Sequence, residues 1–341
     1  MRAGSPNRRH ATTQPGPATV ASVLCLGIAF SLVILIGGRS LSAAAPQDEV
    51  IANLSAGRVL IYVAKEGIAI GVTETRVEVD TRPPIVVPLS GKRAGILLGA
   101  TEWAQPASGR KPVRLEQALT DVVQQLGGGA PRLEQEAASD IEQIGLNLLG
   151  PLRNAVGQLH ARLELKPEEY VVELILAGYT EGYGAEVWSL RYRAVQEPLR
   201  GEYWRTRILR PSYTQLWPPE KDRPRTLLEV RYPPELPGAA LLDLLRENDP
   251  RLAPLRSADQ RMARAIANLE KGECQKTPLA EAAQFLRAAL NIVGRPEERQ
   301  AVAIIQEQRG FQWVLAPAEP VGKAEDQKPR EPGAPTLRKP P

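Results

Sequence analysis

Histidine and cysteine are almost missing from this sequence, and their scarcity removes whole classes of chemistry. Of the two histidines, His10 stands near the N-terminus, so His160, inside a helical repeat, is the only one left for the rest of the chain. A histidine-built metal centre or a Ser/His pair would rest on that one residue, whose setting reads as a helix surface. The two cysteines are Cys25, inside an apolar run, and Cys274; a chain without that run cannot form an internal disulfide, and Cys274 reads as a structural thiol at a helix end. There is no G-x-S-x-G, no H-E-x-x-H and no paired-cysteine metal spacing. The glycine run 127–129 lacks the Lys-Ser/Thr pair of a phosphate loop and reads as a helix stop. Neither cofactor nor metal is expected.

Charge is scarce in a different sense. The formal charge is +4, but Arg2, Arg8, Arg9 and Arg39 supply all of it and residues 1–45 hold no acid, so 4 − 4 leaves about zero for the body. A nucleic-acid partner therefore has no electrostatic footprint to support it.

What is present points to export and a substantial core. With 341 residues, 43% of them hydrophobic and 24% charged, the chain suits one large domain or two small ones. The run VASVLCLGIAFSLVILI at 20–36 follows a basic start and precedes the small residues SLSAAA, the layout of a secretory signal with cleavage near Ser42 to Ala45. Left uncleaved, the run is almost long enough to anchor the chain in a bilayer. The expected organisation is a signal or anchor at 1–45, one folded domain at 46–317, and a disordered proline-rich charged tail at 318–341. The expected location is secreted or periplasmic, with a membrane contact only if 20–36 is retained.

Along the body, GRVLIYVAKEGIAIGVTETR at 57–76 reads as two strands about a turn at Lys65, Glu66 and Gly67. Pro83 and Pro84 mark a connection, and AGILLGA reads as a buried central strand ending at Gly99. Apolar spacing predicts a helix near 113–126, then a longer one from Ile141 to Leu163 that Pro151 kinks. YVVELILAGYTEGYGAEVWSLRYRAV is a second hairpin. Residues 198–235 read as one strand and a long irregular excursion. Ser257 with Gln260 forms a capping-box signature before a helix that Gly272 ends. Thr277 is the expected cap of a helix with Pro278 at its first position, and RQAVAIIQEQRGFQWVLAP closes the body as two strands about Arg309 and Gly310. Strands and helix pairs in alternating groups predict an α+β fold, a four-layer α-β-β-α sandwich of two antiparallel sheets flanked by helices.

Four stretches resemble the proteasome core-particle subunits and, more broadly, the N-terminal-nucleophile hydrolases: RVLIYVAKEGIAIGVTETR, KRAGILLGATEWAQ, ELILAGYTEGYGAEVWSL and FLRAALNIVGRPEERQAVAIIQEQRGFQWV, in that order, over roughly 55–316. The resemblance implies a first strand that begins at a Thr, Ser or Cys nucleophile whose freed amine supplies the base, with an acid near the end of the second strand and a lysine on a following one. Carried onto this sequence, the nucleophile position falls on Gly57, the acid near Thr73 with Glu74 beside it, and the lysine near Ile85, with Lys92 at a turn. All three functional groups are missing. Ser55, two residues before Gly57 and on the same strand face, would become a nucleophile only if cleavage after Leu54 exposed its amine; otherwise residues 53–55 are the lead-in to the strand.

The functional expectation is therefore an exported, non-catalytic, proteasome-like protein, a pseudoenzyme with a binding or assembly role. The alternatives are an amide hydrolase using Ser55 and a membrane-tethered envelope scaffold. Family rings suggest a homo-oligomer. The arginine and aromatic cluster at 203–217, with Trp204, Arg207 and Trp217 as its candidate binding residues, suggests a protein or peptide partner, although an edge strand packed on the body explains the same residues.

Overall fold

The computed structural model describes residues 51–75, 81–89, 91–104, 111–126, 136–156, 170–180, 182–198, 204–221, 223–236, 238–294 and 298–317. The expected signal or anchor, His160, the glycine run 127–129, Tyr203 and the tail 318–341 lie outside these residues. No helix among the described residues is long and apolar enough to cross a membrane.

The chain begins with β1 (Ile51–Ser55), followed by β2 (Gly57–Val63) and β3 (Ile68–Glu74), the expected hairpin. Next come β4 (Ile85–Pro88), β5 (Arg93–Ala104) and the two-residue β6 (Val113–Arg114), then helices α1 (Leu115–Gln125) and α2 (Glu136–Val156). Five strands follow: β7 (Val172–Thr180), β8 (Gly184–Tyr192), β9 (Ala194–Pro198), β10 (Trp204–Ile208) and β11 (Ser212–Trp217), with β12 (Leu228–Tyr232) beyond them. Four helices, α3 (Leu241–Arg246), α4 (Ala253–Ala258), α5 (Gln260–Glu270) and α6 (Leu279–Val293), precede β13 (Gln300–Gln306) and β14 (Gly310–Leu315).

These strands form two main sheets in a mixed α+β fold whose strand pairs are antiparallel. One sheet runs β1-β5-β7-β8-β11, with β4 and β6 also paired to β5, and the other runs β12-β2-β3-β13-β14. Among the described residues, strands β9 and β10 pair with each other alone. Because successive side chains on a strand point to opposite faces, β5 and β7 divide their residues between two cores. Ala94, Ile96, Leu98, Ile175 and Ala177 join the core that contains β2, β3, α5 and α6. Leu97, Leu174 and Leu176 join the core that contains α1 and α2. Burial on both faces explains why LIYV and ELILA are almost continuously apolar rather than alternating.

Several local expectations change on contact with the fold. Strand β5 does not stop at Gly99. That residue takes φ +89°, and a Cβ there would lie 2.3 Å from the Val171 carbonyl oxygen, so glycine lets the strand bend and continue to Ala104. The excursion at 198–235 contains three strands, β10, β11 and β12, because β9, β8 and β2 respectively supply partners that no local pattern announces. Ser257 lies inside α4 and donates to the Ala253 carbonyl at 2.9 Å, and the cap of α5 is Asp259, which accepts from the Arg261 N–H at 3.1 Å. Thr277 does not cap α6 either. Its hydroxyl is 2.7 Å from that of Tyr62 and accepts from Asn268, while Glu66, in the β2–β3 turn, accepts from the Leu279 N–H at 3.0 Å. A carboxylate at a helix N-terminus satisfies an otherwise unpaired donor and complements the helix dipole; here it also ties the first hairpin to α6.

Candidate functional site

The resemblance directs attention to the start of β2. At that point the chain crosses between sheets: β1 pairs with β5 in one, and β2, after the single residue Ala56, pairs with β3 and β12 in the other. Residues 53–55 are thus more than a lead-in, since they form part of a strand in the opposite sheet. The crossing is held from several sides. Arg82 donates its N–H to the Leu54 carbonyl at 2.8 Å and accepts from the Ala56 N–H at 2.9 Å, and the Thr75 N–H reaches the Ala56 carbonyl at 3.1 Å.

Gly57 occupies the nucleophile position. Its φ is +152°, and a Cβ built on it would sit 2.0 Å from the Thr73 carbonyl oxygen and 3.0 Å from Pro84 Cδ. A side chain cannot fit there without displacing the backbone of β3. The position is reserved for glycine by conformation and by space together.

Ser55 is fully buried, at 0% exposure. It pairs with Gly99 across the sheet, and its hydroxyl lies 2.7 Å from the Thr101 hydroxyl. That contact provides a hydrogen-bond partner and no base. Thr73, at the position of the expected acid, donates to Glu298 at 3.4 Å. Glu74, next to it, is 1% exposed and accepts two bonds from Arg299 at 2.8 and 2.9 Å. This bidentate pair raises the Arg299 pKa, chiefly through its hydrogen bonds, and commits the carboxylate to charge pairing. Ile85, at the lysine position, pairs with Leu97. Lys92 precedes β5, seven residues before Gly99, about 23 Å along the strand. Lys65 lies in the β2–β3 turn, at the far end of β2 from Gly57.

Around the same crossing the sequence left two buried acids unnoticed, because each looks like an ordinary polar residue in a strand. Glu229 accepts from Arg58 at 3.2 Å, from Arg231 at 2.8 Å and from the Leu241 N–H at 2.7 Å, so one carboxylate joins β2, β12 and the first turn of α3. The Arg58 guanidinium is held below its usual pKa first by burial and then by Arg231, with Glu229 acting in the opposite direction. Glu173, at 0% exposure, accepts from the Ser189 hydroxyl and from Arg191 at 3.0 Å, and it also faces the Tyr170 phenol, whose pKa is raised first by burial and then by this carboxylate. Its neighbour Val172 pairs with Gly99, which places Glu173 one residue along β7 from the row that includes Ser55. Among the described residues the partners of Glu173 are hydroxyls and a guanidinium, a set that fixes the carboxylate and offers no amine or imidazole for nucleophile activation.

The candidate binding residues do not gather at one place. Trp217 is 2% exposed and belongs to the core shared by β2, β3 and α6. Arg207 stands on the outer face of β10, 3.6 Å from Glu197. Trp204 begins β10, opposite Pro198. A small hollow of about 20 Å³ lies elsewhere, lined among others by Arg93, Thr180, Glu186 and Trp188. There Thr180 donates to Glu186 at 2.6 Å and accepts from Arg93 at 3.3 Å. Among the described residues, no group of three or more His, Cys, Asp or Glu side chains is placed to hold a metal ion. The sequence matches no protein-family model and has no match among curated proteins.

Proposed function

We propose that this chain is an exported protein of the N-terminal-nucleophile hydrolase architecture, related to proteasome subunits, in which the nucleophile position has become structural and the protein acts in binding or assembly. The layering proposed is helix, sheet, sheet, helix. Its support is the way β5 and β7 send alternate residues to a core containing the second sheet and to a core containing α1 and α2, while α5 and α6 share the core of β2 and β3.

One observation carries the functional reading. The first strand of the hairpin begins at a glycine with no room for a side chain, in a chain that continues upstream into a paired strand of the other sheet. A catalytic first residue needs a side-chain oxygen or sulfur and a free amine. Gly57 has neither, and severing the chain there would remove the covalent link that crosses between the sheets. The alternative hydrolase reading places the nucleophile at Ser55, whose favourable point is its position at that crossing. Its buried hydroxyl meets only Thr101 among the described side chains, which weighs against it. The scaffold reading adds retention of residues 20–36 and recruitment by the tail; deleting 318–341 would abolish capture of a partner if it holds.

Treatment of the purified protein with a hydroxyl-trapping β-lactone or epoxyketone tests the main reading. The expected result is no adduct by mass. A stoichiometric adduct on Ser55 would establish the hydrolase instead.

A further inference from the structure

Charge in this protein is concentrated in one twenty-residue stretch. Residues 191–210 contain six arginines and two glutamates, so 6 − 2 gives +4, while residues 46–341 as a whole sum to about zero. Within it, residues 194–198 and 204–208 form a two-stranded ribbon, β9 and β10, that continues the β8–β11 pair; the Leu209 N–H bonded to the Arg193 carbonyl at 2.9 Å bridges the junction. Its inner face is closed: Thr206 and Ile208 are 6% and 1% exposed, and Gln196 bonds Thr206 at 2.8 Å. The outer face presents Arg193, Arg205 and Arg207, with Glu197 opposite Arg205, Val195 opposite Arg207 and Leu209 next to Arg193. All three guanidinium groups are exposed, and the one ion pair among these residues, Arg207 with Glu197 at 3.6 Å, joins two side chains that are both more than half exposed. Such a pair contributes little and is easily exchanged.

We propose that this ribbon docks an extended acidic peptide segment, which names the partner class for the binding role proposed above. Arg205 and Arg207, two apart on one strand, stand about 6.8 Å from each other, the same repeat at which alternate side chains leave an extended peptide. Carboxylates at every second position meet the arginines in register, in charge-assisted hydrogen bonds. Val195 and Leu209, half-buried among the arginines, favour a partner with apolar side chains over a bare phosphate chain. The backbone edge of β10 is not part of the site, since the Ile208 carbonyl already accepts from Arg153 of α2 at 3.3 Å; recognition rests on the side chains of the outer face.

The test uses the full chain and two fluorescein-labelled peptides of identical composition, one alternating Glu and Val, the other with its Glu and Val in blocks, read by anisotropy at 50 and 300 mM salt. The alternating peptide should bind at least fivefold more tightly and weaken with salt. The R205E/R207E double variant should lose tenfold or more, whereas R246E/R261E, on exposed arginines away from the ribbon, should bind as the parent does. Unchanged urea midpoints for both variants verify that the fold is intact. Equal binding of the two peptides, equal loss in both double variants, or tighter binding of oligo-dT or phosphatidylglycerol vesicles would overturn the proposal. None of these readouts depends on the first-strand glycine, so failure here leaves the reading of that position untouched.

Discussion

Replacing Gly57 with alanine adds one methyl group, and the surroundings make that addition expensive. The φ of +152° lies in a region essentially closed to side chains, which costs about 1–3 kcal/mol. The new Cβ would also start 2.0 Å from the Thr73 carbonyl oxygen, inside any acceptable contact, so β3 must shift. Thr73 pairs with Arg58 on one side and Gln300 on the other, and moving it disturbs three strands at about 1–3 kcal/mol for an overpacked site. The sum is about 2–6 kcal/mol. With a urea slope of about 3 kcal/mol per molar for a body of this size, the unfolding midpoint should fall by roughly 0.7–2 M. Gly184→Ala is the internal control. Its φ is +81° with no atom within 4 Å of the new Cβ, so it should lose only about 1 kcal/mol from conformation. If Gly57→Ala unfolds at the parental midpoint, or loses no more than the control, the crowding argument for this position is wrong.

Other consequences follow from the same contacts. Glu229→Ala would remove the carboxylate that bonds both Arg58, 3% exposed, and the Leu241 N–H at the start of α3; about 1–3 kcal/mol should be lost in urea unfolding, with Glu229→Gln recovering part of it. Glu66→Ala removes the side-chain acceptor of the Leu279 N–H and should cost about 1 kcal/mol, seen also as faster amide exchange in the first turn of α6. Burial pushes the Cys274 thiol up to about 12. The unfolded chain gives up that proton first, near pH 8.5–9, so the folded protein is favoured below this range and loses stability as pH rises, by about 1.4 kcal/mol per unit until the folded thiol ionises. Tyr179, raised to about 12 by burial and by Glu307 and Glu66, adds to the decline above pH 10. Cys274→Ala should flatten the stability profile between pH 9 and 10, and an unchanged slope would contradict the assignment.

The parts of this fold that the sequence announces are those where one strand or helix carries its own pattern. LIYV, AGILLGA and ELILA are apolar enough to declare burial on both faces, and Gly310 with φ +73° marks the turn of the closing hairpin. What stays hidden depends on partners far away in the chain. Strand β11, SYTQLW, mixes polar and aromatic residues and becomes a strand through its pairing with β8. Thr277 and Ser257 have the right identity and spacing for helix caps, yet α6 is met by Glu66 from the distant β2–β3 turn and α5 by Asp259, the residue directly before it; in each case a carboxylate takes the place of the expected hydroxyl. Trp217 reads equally well as a surface anchor or a core residue; its 2% exposure resolves this in favour of the core. At the start of β2 the reverse holds. The absence of a nucleophile is visible in the letter at position 57, but only the proximity of the Thr73 carbonyl reveals that the glycine is required. The buried acids Glu173 and Glu229 had no sequence signal beyond a carboxylate placed within an apolar strand.

Intact-mass measurement with N-terminal sequencing of the protein recovered from its native compartment addresses the central claim most directly. The account predicts one species in which the bonds on either side of Ser55 and Gly57 are unbroken, so that its first residue lies upstream of β1. A dominant species beginning at Ser55 or Gly57 would contradict it, because the strand crossing described here would then be a processing site rather than a structural joint.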